Sequence, residues 1–239
     1  MRKEINLHGI TYLQPLSVGA SEWYYGMDYT SGDLYEAEEI YEEKGKVRGN
    51  RLCLVHYPDG TIYEPMPARE NLALGEPVYV CGEDMASCEP VRDRGEDRIA
   101  FPAVDFAEGV ITIWEVRCEA LPAAGHETDE KHLHKLAELP LPSIDNCYNL
   151  QLHVWPLTLS RQPKDGVFEL IWPERRSIAV DERESFFYRE GDRLYFNRWY
   201  EDPDYREETL IRSAATGEVL EQLPGDIQIM PGGELWHLY

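Results

Sequence analysis

The fold is decided by the stretch at residues 107–115, Ala-Glu-Gly-Val-Ile-Thr-Ile-Trp-Glu. A polar residue and a glycine are followed by β-branched and aromatic residues, which predicts a tight turn leading into a β-strand. Glycine suits this place because hairpin turns often need a positive φ angle. The same pattern recurs as PDGTIYE at 58–64, KDGVFELIW at 164–172 and ATGEVLE at 215–221.

The glycines of these turns recur at similar intervals. Gly60, Gly109, Gly166 and Gly217 are separated by 49, 57 and 51 residues. A period of roughly 40–50 residues with several short strands per repeat is typical of β-propeller blades, so the chain resembles a β-propeller. The resemblance is one of architecture only, because neither the Trp-Asp signature nor the kelch double glycine recurs.

The chain length sets the expected number of blades. Its 239 residues predict a single all-β domain over 1–239, built as a propeller of five blades. A further glycine turn at 231–233 begins a blade that residues 5–16 would complete. Pairing of the N- and C-terminal strands would close the propeller and remove an exposed sheet edge. The alternative is an irregular pair of β-sandwiches.

One segment departs from the β pattern. Residues 33–45 carry apolar side chains at helical spacing among many glutamates. Asp33 and Glu36 have the spacing of a capping box, and Gly45 supplies a stop signal. The sequence therefore predicts one short amphipathic helix inserted in the first blade.

The charge balance is strongly acidic. The chain carries 45 Asp and Glu against 23 Lys and Arg, a formal net charge of −22. Such a surface repels the phosphates of nucleic acids and anionic lipids, so we expect neither nucleic acid nor membrane as a partner. A protein, a peptide or a glycan is the expected partner, and a basic protein fits the charge. The simpler interpretation is that the charge only maintains solubility.

Cysteine usage and the N-terminal residues predict a reducing compartment. The five cysteines are odd in number and lack a Cys-x-x-Cys spacing, which fits free, mostly buried thiols better than a disulfide framework. Glu4, Asn6 and His8 interrupt the apolar run that a signal peptide needs. No stretch reaches the roughly 20 apolar residues of a membrane span. We therefore expect a cytoplasmic protein.

Three aspartates are the candidates for catalysis. Asp28, Asp105 and Asp181 each follow apolar strand residues, and Glu182 follows Asp181 directly. Propeller glycosidases use a pair of carboxyl groups as general acid and nucleophile or base, so a converging pair such as Asp28 and Asp105 would suit that chemistry. The simpler interpretation is that these aspartates form hydrogen bonds within hairpin turns.

A histidine-rich segment is the candidate for metal binding. If residues 131–136 form a strand, His132 and His134 lie on one face, because side chains alternate along a strand. With a carboxylate from residues 126–130, HETDE, they would have the donor set of an open zinc site. The simpler interpretation is a solvated polar loop with exposed histidines, and no cofactor is expected.

Aromatic side chains are the candidates for ligand binding. Their rings offer a large contact area to sugars or peptides with few rotamers to immobilise. Packing between blades is the simpler role for most of them. The candidates are Trp23, Tyr25, Trp155 and Trp199.

No Walker loop, dinucleotide fingerprint, nucleophile elbow or zincin helix occurs in the sequence. A cysteine nucleophile would need a base within hydrogen-bond reach; Cys147 has the most polar flanking residues of the five thiols, and His153 lies six residues after it. The missing motifs favour a binding protein over an enzyme. The leading hypothesis is a propeller-like binding or interaction protein. The alternatives are a glycosidase-like enzyme and an acidic, immunity-type inhibitor of a basic protein.

Overall fold

The structure, a computed structural model, describes residues 3–16, 22–80, 97–123, 130–163, 166–230 and 233–239. The described residues form two compact units. Unit 1 comprises those up to Val80 and those from Asp97 to Cys147, and unit 2 comprises those from Tyr148 to Tyr239. The single domain over 1–239 stays a prediction.

Unit 1 contains two antiparallel sheets. In sheet 1 the strands lie in the order of the sequence, whereas in sheet 2 the long strand β7 pairs with both β5 and β6 along one edge and with β8 along the other. Sheet 1 is formed by β1 (Gln14–Pro15), β2 (Trp23–Met27), β3 (Leu52–His56) and β4 (Thr61–Tyr63). Sheet 2 is formed by β5 (Leu72–Leu74), β6 (Val78–Val80), β7 (Arg98–Asp105), β8 (Val110–Arg117) and β9 (Leu133–Pro140).

Unit 2 contains two four-stranded antiparallel sheets and a C-terminal hairpin, all with strands in sequential order. Sheet 3 is formed by β10 (Gln151–His153), β11 (Thr158–Arg161), β12 (Val167–Trp172) and β13 (Arg176–Ala179). Sheet 4 is formed by β14 (Glu184–Glu190), β15 (Arg193–Tyr200), β16 (Arg206–Ser213) and β17 (Val219–Pro224). The hairpin is formed by β18 (Asp226–Ile229) and β19 (Leu235–Leu238).

Small antiparallel sheets built from consecutive strands are the units of a β-propeller, and the predicted propeller-like, all-β architecture is confirmed. The predicted number of five blades is wrong, because the described strands form four such sheets and one separate hairpin. The described partner of β1 is β2 and that of β19 is β18, so the pairing of terminal strands stays a prediction.

The regular glycine spacing does not mark one repeated position within a blade. All four glycines have positive φ angles, between 67° and 77°, as hairpin turns require. Gly60 and Gly217 join the last two strands of their sheets, whereas Gly109 and Gly166 join two central strands. Each of the four glycines lies in a different sheet, so the overestimate comes from the chain length and the turn at 231–233: the strands before and after that turn, β18 and β19, form a separate hairpin rather than a fifth blade.

The predicted helix is confirmed as α1 (Leu34–Lys44), which lies between β2 and β3. The Asp33 carboxylate accepts hydrogen bonds from the backbone N–H groups of Tyr35 and Glu36, both at 2.9 Å, and the Glu36 carboxylate accepts one from the Asp33 N–H at 3.1 Å. Gly45 ends the helix in the left-handed conformation with φ 70°. The helix buries Leu34 and Ala37, so its apolar stripe faces the unit.

Each unit has its own hydrophobic core. In unit 1 the core lies between residues of sheets 1 and 2, including Leu52, Leu54, Ile99 and Phe101, all fully buried. In unit 2 Phe168 of sheet 3 packs edge-on against Phe196 of sheet 4, with ring centroids 5.3 Å apart. Both cores are built from alternate residues of adjoining strands, as expected for stacked sheets.

Candidate functional site

The candidate site is a pocket of about 330 Å³ in unit 2, lined by residues of sheets 3 and 4. We call it the unit 2 pocket. Its described walls combine neutral polar groups, three carboxylates and aromatic rings, and they include no lysine or arginine. The residues that its chemistry depends on are Tyr148, Asn149, Gln151, His153, Ser160, Gln162, Phe168, Asp181, Glu182, Glu184, Ser185 and Phe186.

His153, the last residue of β10, places a largely enclosed imidazole in the pocket wall. Its ring lies edge-on to Phe186, with centroids 4.6 Å apart. Burial, together with the positive charge of Arg189, lowers the pKa of His153 to about 4. The imidazole is therefore neutral at pH 7, with one nitrogen as donor and the other as acceptor.

Arg189 is held in place by three hydrogen bonds. Its guanidinium donates to Thr158 Oγ1, to the carbonyl of Gly191 and to the Glu174 carboxylate, each at 2.9 Å. Its fixed position keeps a positive charge beside His153. The surroundings of His153 in unit 2 therefore keep the imidazole neutral at pH 7.

Gln162, in the pocket lining, connects sheets 3 and 4 through two side-chain hydrogen bonds. Its amide oxygen accepts a 2.8 Å hydrogen bond from the Phe186 N–H, and its amide nitrogen donates to the Glu184 carbonyl. Both backbone partners belong to β14, whereas Gln162 directly follows β11. The side chain therefore sets the separation of the two pocket walls.

The three carboxylates of the pocket have different surroundings. Glu184 is 1% exposed and accepts two 2.9 Å hydrogen bonds from the Arg212 guanidinium. Asp181 accepts bonds from the backbone and side chain of Arg183, which lower the pKa of the Asp181 carboxyl. Glu182 is exposed at the pocket. Glu184 is therefore structural, whereas the partly exposed Asp181 and the exposed Glu182 line the pocket where solvent reaches it.

Asp28 and Asp105 are not joined by any described contact. The Asp28 carboxylate accepts a bond from the Thr30 N–H at 3.0 Å and lies 3.5 Å from the Arg48 guanidinium. Asp105 accepts bonds from the N–H groups of residues 107 and 108, both at 3.0 Å, within its own hairpin turn. Asp181, in contrast, lines the unit 2 pocket. The catalytic roles of all three stay predictions.

The predicted aromatic residues lie in different surroundings. Trp23 is 8% exposed and packs against His56 and Tyr63, with ring centroids 5.0 and 5.6 Å away. Tyr25 is buried in the same core, and this burial raises its pKa. Trp155 packs against a hydrophobic cluster of unit 2, whereas Trp199 is 40% exposed on β15. The buried residues of that cluster are Tyr188, Tyr195, Ile211 and Ile227. The aromatic residues that line the pocket are Tyr148, Phe168 and Phe186, and no pattern in the sequence distinguishes these three from the other aromatic residues.

His132 and His134 are engaged separately. The His132 Nε2 lies 2.7 Å from the Pro65 carbonyl oxygen, and His134 Nδ1 lies 3.8 Å from the Glu115 carboxylate. Within the described ranges no group of three His, Cys, Asp or Glu side chains is placed to hold a metal ion. His126, Glu127 and Asp129 lie outside the described residues.

The described cysteines are free. Burial raises the pKa of Cys53 to about 11 and that of Cys118 to about 12, so both are thiols at pH 7. Cys147 is buried in unit 1, and its N–H donates to the Glu38 carboxylate at 2.6 Å. His153, the predicted base, belongs to unit 2. Cys81 and Cys88 lie outside the described residues.

Comparison of the chain with protein-family models, with curated proteins and with solved structures finds no match. Among the described residues, α1 is too short and too polar to cross a membrane, and no other helix qualifies. The function must therefore be inferred from the pocket itself.

Proposed function

We propose that the protein is a binding protein whose unit 2 pocket receives the cationic side chain of a peptide or protein partner. The observation that carries this proposal is the lining: Asp181 and Glu182 face the pocket, His153 is neutral, and no described lysine or arginine lines it. Carboxylates attract an ammonium or guanidinium group, and aromatic rings bind cations through their faces. The pocket therefore favours a positive ligand over a negative one.

The overall charge supports the same ligand class. A formal net charge of −22 attracts basic partners over long distances and raises their association rate. Long-range attraction brings the partner to the surface, and the pocket then selects one side chain. The proposal joins the two sequence-based hypotheses of a binding protein and of an acidic inhibitor that recognises a basic partner.

The test is calorimetric titration of the full chain with the capped peptides Gly-Lys-Gly and Gly-Arg-Gly, and with the acetyl-lysine form of the first. We expect binding of the charged peptides, weakened at least threefold between about 20 and about 200 mM NaCl because salt screens the attraction. Acetylation removes the charge and should abolish binding. Equal binding of lysine and acetyl-lysine peptides would overturn the proposal.

A matched pair of variants locates the binding. Glu182→Gln removes one charge at the pocket, and Glu218→Gln removes one charge from an exposed residue of unit 2 outside it. We expect Glu182→Gln to weaken peptide binding roughly threefold to tenfold, and Glu218→Gln to change it little. An equal effect of the two substitutions would mean that net charge rather than the pocket is responsible.

Carbohydrate is the second candidate ligand. Asn149 and Gln151 present exposed amides near the partly exposed ring of Phe186, a combination that suits the hydroxyls and apolar face of a sugar. Salt distinguishes the candidates, since binding of a neutral oligosaccharide should not change between the two NaCl concentrations. The glycosidase-like hypothesis would add cleavage of that oligosaccharide, read by reducing-end release.

A further inference from the structure

Unit 1 contains an open cleft of about 640 Å³ beside the C-terminal end of α1. We call it the basic cleft. Lys44, the last residue of α1, and Lys46 and Arg48, from the segment that follows it, line the cleft on one side, and Arg69 lines it from the segment before β5. Glu70 is the one acidic residue among the described lining residues.

This concentration of positive charge contrasts with the rest of the chain. Acidic residues outnumber basic ones by about two to one overall, 45 against 23, whereas four cations and one acid line the cleft. A lysine near a helix C-terminus complements the helix dipole, and this explains Lys44. It does not explain Arg69, which comes from a different segment.

The two segments are fixed to each other. The Val47 N–H donates to Asn71 Oδ1, and the Asn71 N–H donates to the Val47 carbonyl, both at 2.9 Å. Gly49 lies so close to Arg69 that a Cβ at this position would collide with the Arg69 carbonyl oxygen. The backbone segments that carry the cations are therefore fixed before a ligand binds. This lowers the entropic cost of binding a ligand between them.

Three of the cations have carboxylate partners, of which Glu43 is exposed and Asp28 and Glu130 are partly buried. Lys44 lies 4.0 Å from Glu43, Arg48 lies 3.5 Å from Asp28, and Arg69 pairs with Glu130. All four cations are themselves accessible to solvent, which weakens their ion pairs, so a multiply charged anion can compete with these carboxylates. Lys46 is exposed, and no ion pair is described for it. The cleft therefore has cations available to a ligand.

We infer that the basic cleft binds a small phosphate compound with several negative charges. A phosphate group offers charge-assisted hydrogen bonds to two guanidinium groups and two ammonium groups at once. Apart from Glu70, the remaining lining is uncharged: Ile40, Val47 and Ala68 offer apolar surface to an organic part of such a ligand, and Thr30 and Ser31 offer hydroxyl groups. The site lies within unit 1 and does not depend on the function proposed for the unit 2 pocket.

The test is calorimetric titration of the full chain with tripolyphosphate and with ATP, both without metal ions. The acidic chain as a whole repels both, so binding requires a local site. We expect one-to-one binding of both compounds, weakened at least threefold between about 50 and about 200 mM NaCl. Similar affinities mean that the phosphates are recognised, and tighter ATP binding means that the cleft also holds the organic part. Absence of tripolyphosphate binding overturns the proposal.

Variants locate the site. Lys46→Gln and Arg69→Gln each remove one lining cation, and Arg117→Gln removes a similarly exposed cation of unit 1 outside the cleft. We expect the first two to weaken tripolyphosphate binding about threefold to tenfold and the third to leave it unchanged. Lys46→Gln keeps the test valid if Arg69→Gln disturbs folding. Equal losses in all three variants overturn the proposal.

Discussion

At the residue scale, the protonation state of His153 is set by the position of β10 in unit 2. The imidazole is enclosed by Phe186 and lies near the fixed charge of Arg189, and both surroundings disfavour the imidazolium form. The same side chain in solvent would change its charge near pH 6.5. In the pocket it serves as a neutral hydrogen-bonding group across the physiological range.

His153 makes the stability of unit 2 depend on pH. Its folded pKa of about 4 lies below the ordinary 6.5, so the unfolded chain binds more protons between these values. Stability associated with neutral His153 is present above pH 6.5 and is lost as the pH falls toward 4. We expect the free energy of unfolding to fall by up to about 3 kcal/mol more in the wild type than in His153→Gln between pH 7 and pH 4. Urea denaturation at both pH values measures the difference, and parallel pH profiles would contradict the prediction.

Few residues of the pocket could be selected from the sequence. Asp181 was a candidate because it follows apolar strand residues, and it does line the pocket. His153 was considered only as a base for Cys147, whereas its partners are Phe186 and Arg189. Gln162 and Phe186 meet across 24 residues of sequence. Local sequence patterns cannot predict this hydrogen bond, because it depends on how sheets 3 and 4 pack.

At the element scale, α1 was predictable because its signals are local. The capping box and the terminal glycine lie within the helix and its flanks, so no distant contact is needed to recognise them. The blades depend on which strands pair, and the glycine turns do not show which pair of strands each one joins. Strand positions were therefore predicted better than the number of blades.

The Asp33 cap gives the prediction at this scale. Asp33→Ala removes the carboxylate that accepts bonds from Tyr35 and Glu36, and we expect it to lower the free energy of unfolding by about 1–2 kcal/mol. Asp33→Asn keeps an accepting oxygen and should cost much less, which makes it the control. Urea denaturation of the three proteins measures the losses. Equal losses for Ala and Asn would show that the cap oxygen is not what stabilises α1.

At the scale of the whole molecule, the excess of acidic residues opposes compaction. Carboxylates that carry a net charge of −22 repel one another more strongly in the folded chain than in the expanded unfolded chain. Individual ion pairs such as Arg193 with Glu221, at 2.8 Å, offset this repulsion only locally. The molecule is therefore sensitive to the ionic composition of its solution.

Added salt should stabilise the folded chain. We expect the melting temperature to rise between about 10 and about 150 mM NaCl, because the Debye length falls from about 30 to about 8 Å and screens the repulsion. Differential scanning calorimetry at pH 7 measures the rise. Potassium chloride is the control, since equal rises with both chlorides indicate screening rather than binding of one cation. An unchanged or lowered melting temperature would contradict the prediction.

The helix α1 enters sheet 1 without altering its ladder. Met27 and Leu52 are direct partners in neighbouring strands, so the 24 residues between them form a protrusion from a hairpin that a tight turn would otherwise close. The pairing of β2 with β3 sets the register, whereas the buried Leu34 and Ala37 and the hydrogen bonds between Val47 and Asn71 hold the protrusion to unit 1. Because this protrusion supplies Lys44, Lys46 and Arg48, replacing it would remove three of the four cations of the basic cleft and leave Arg69 alone.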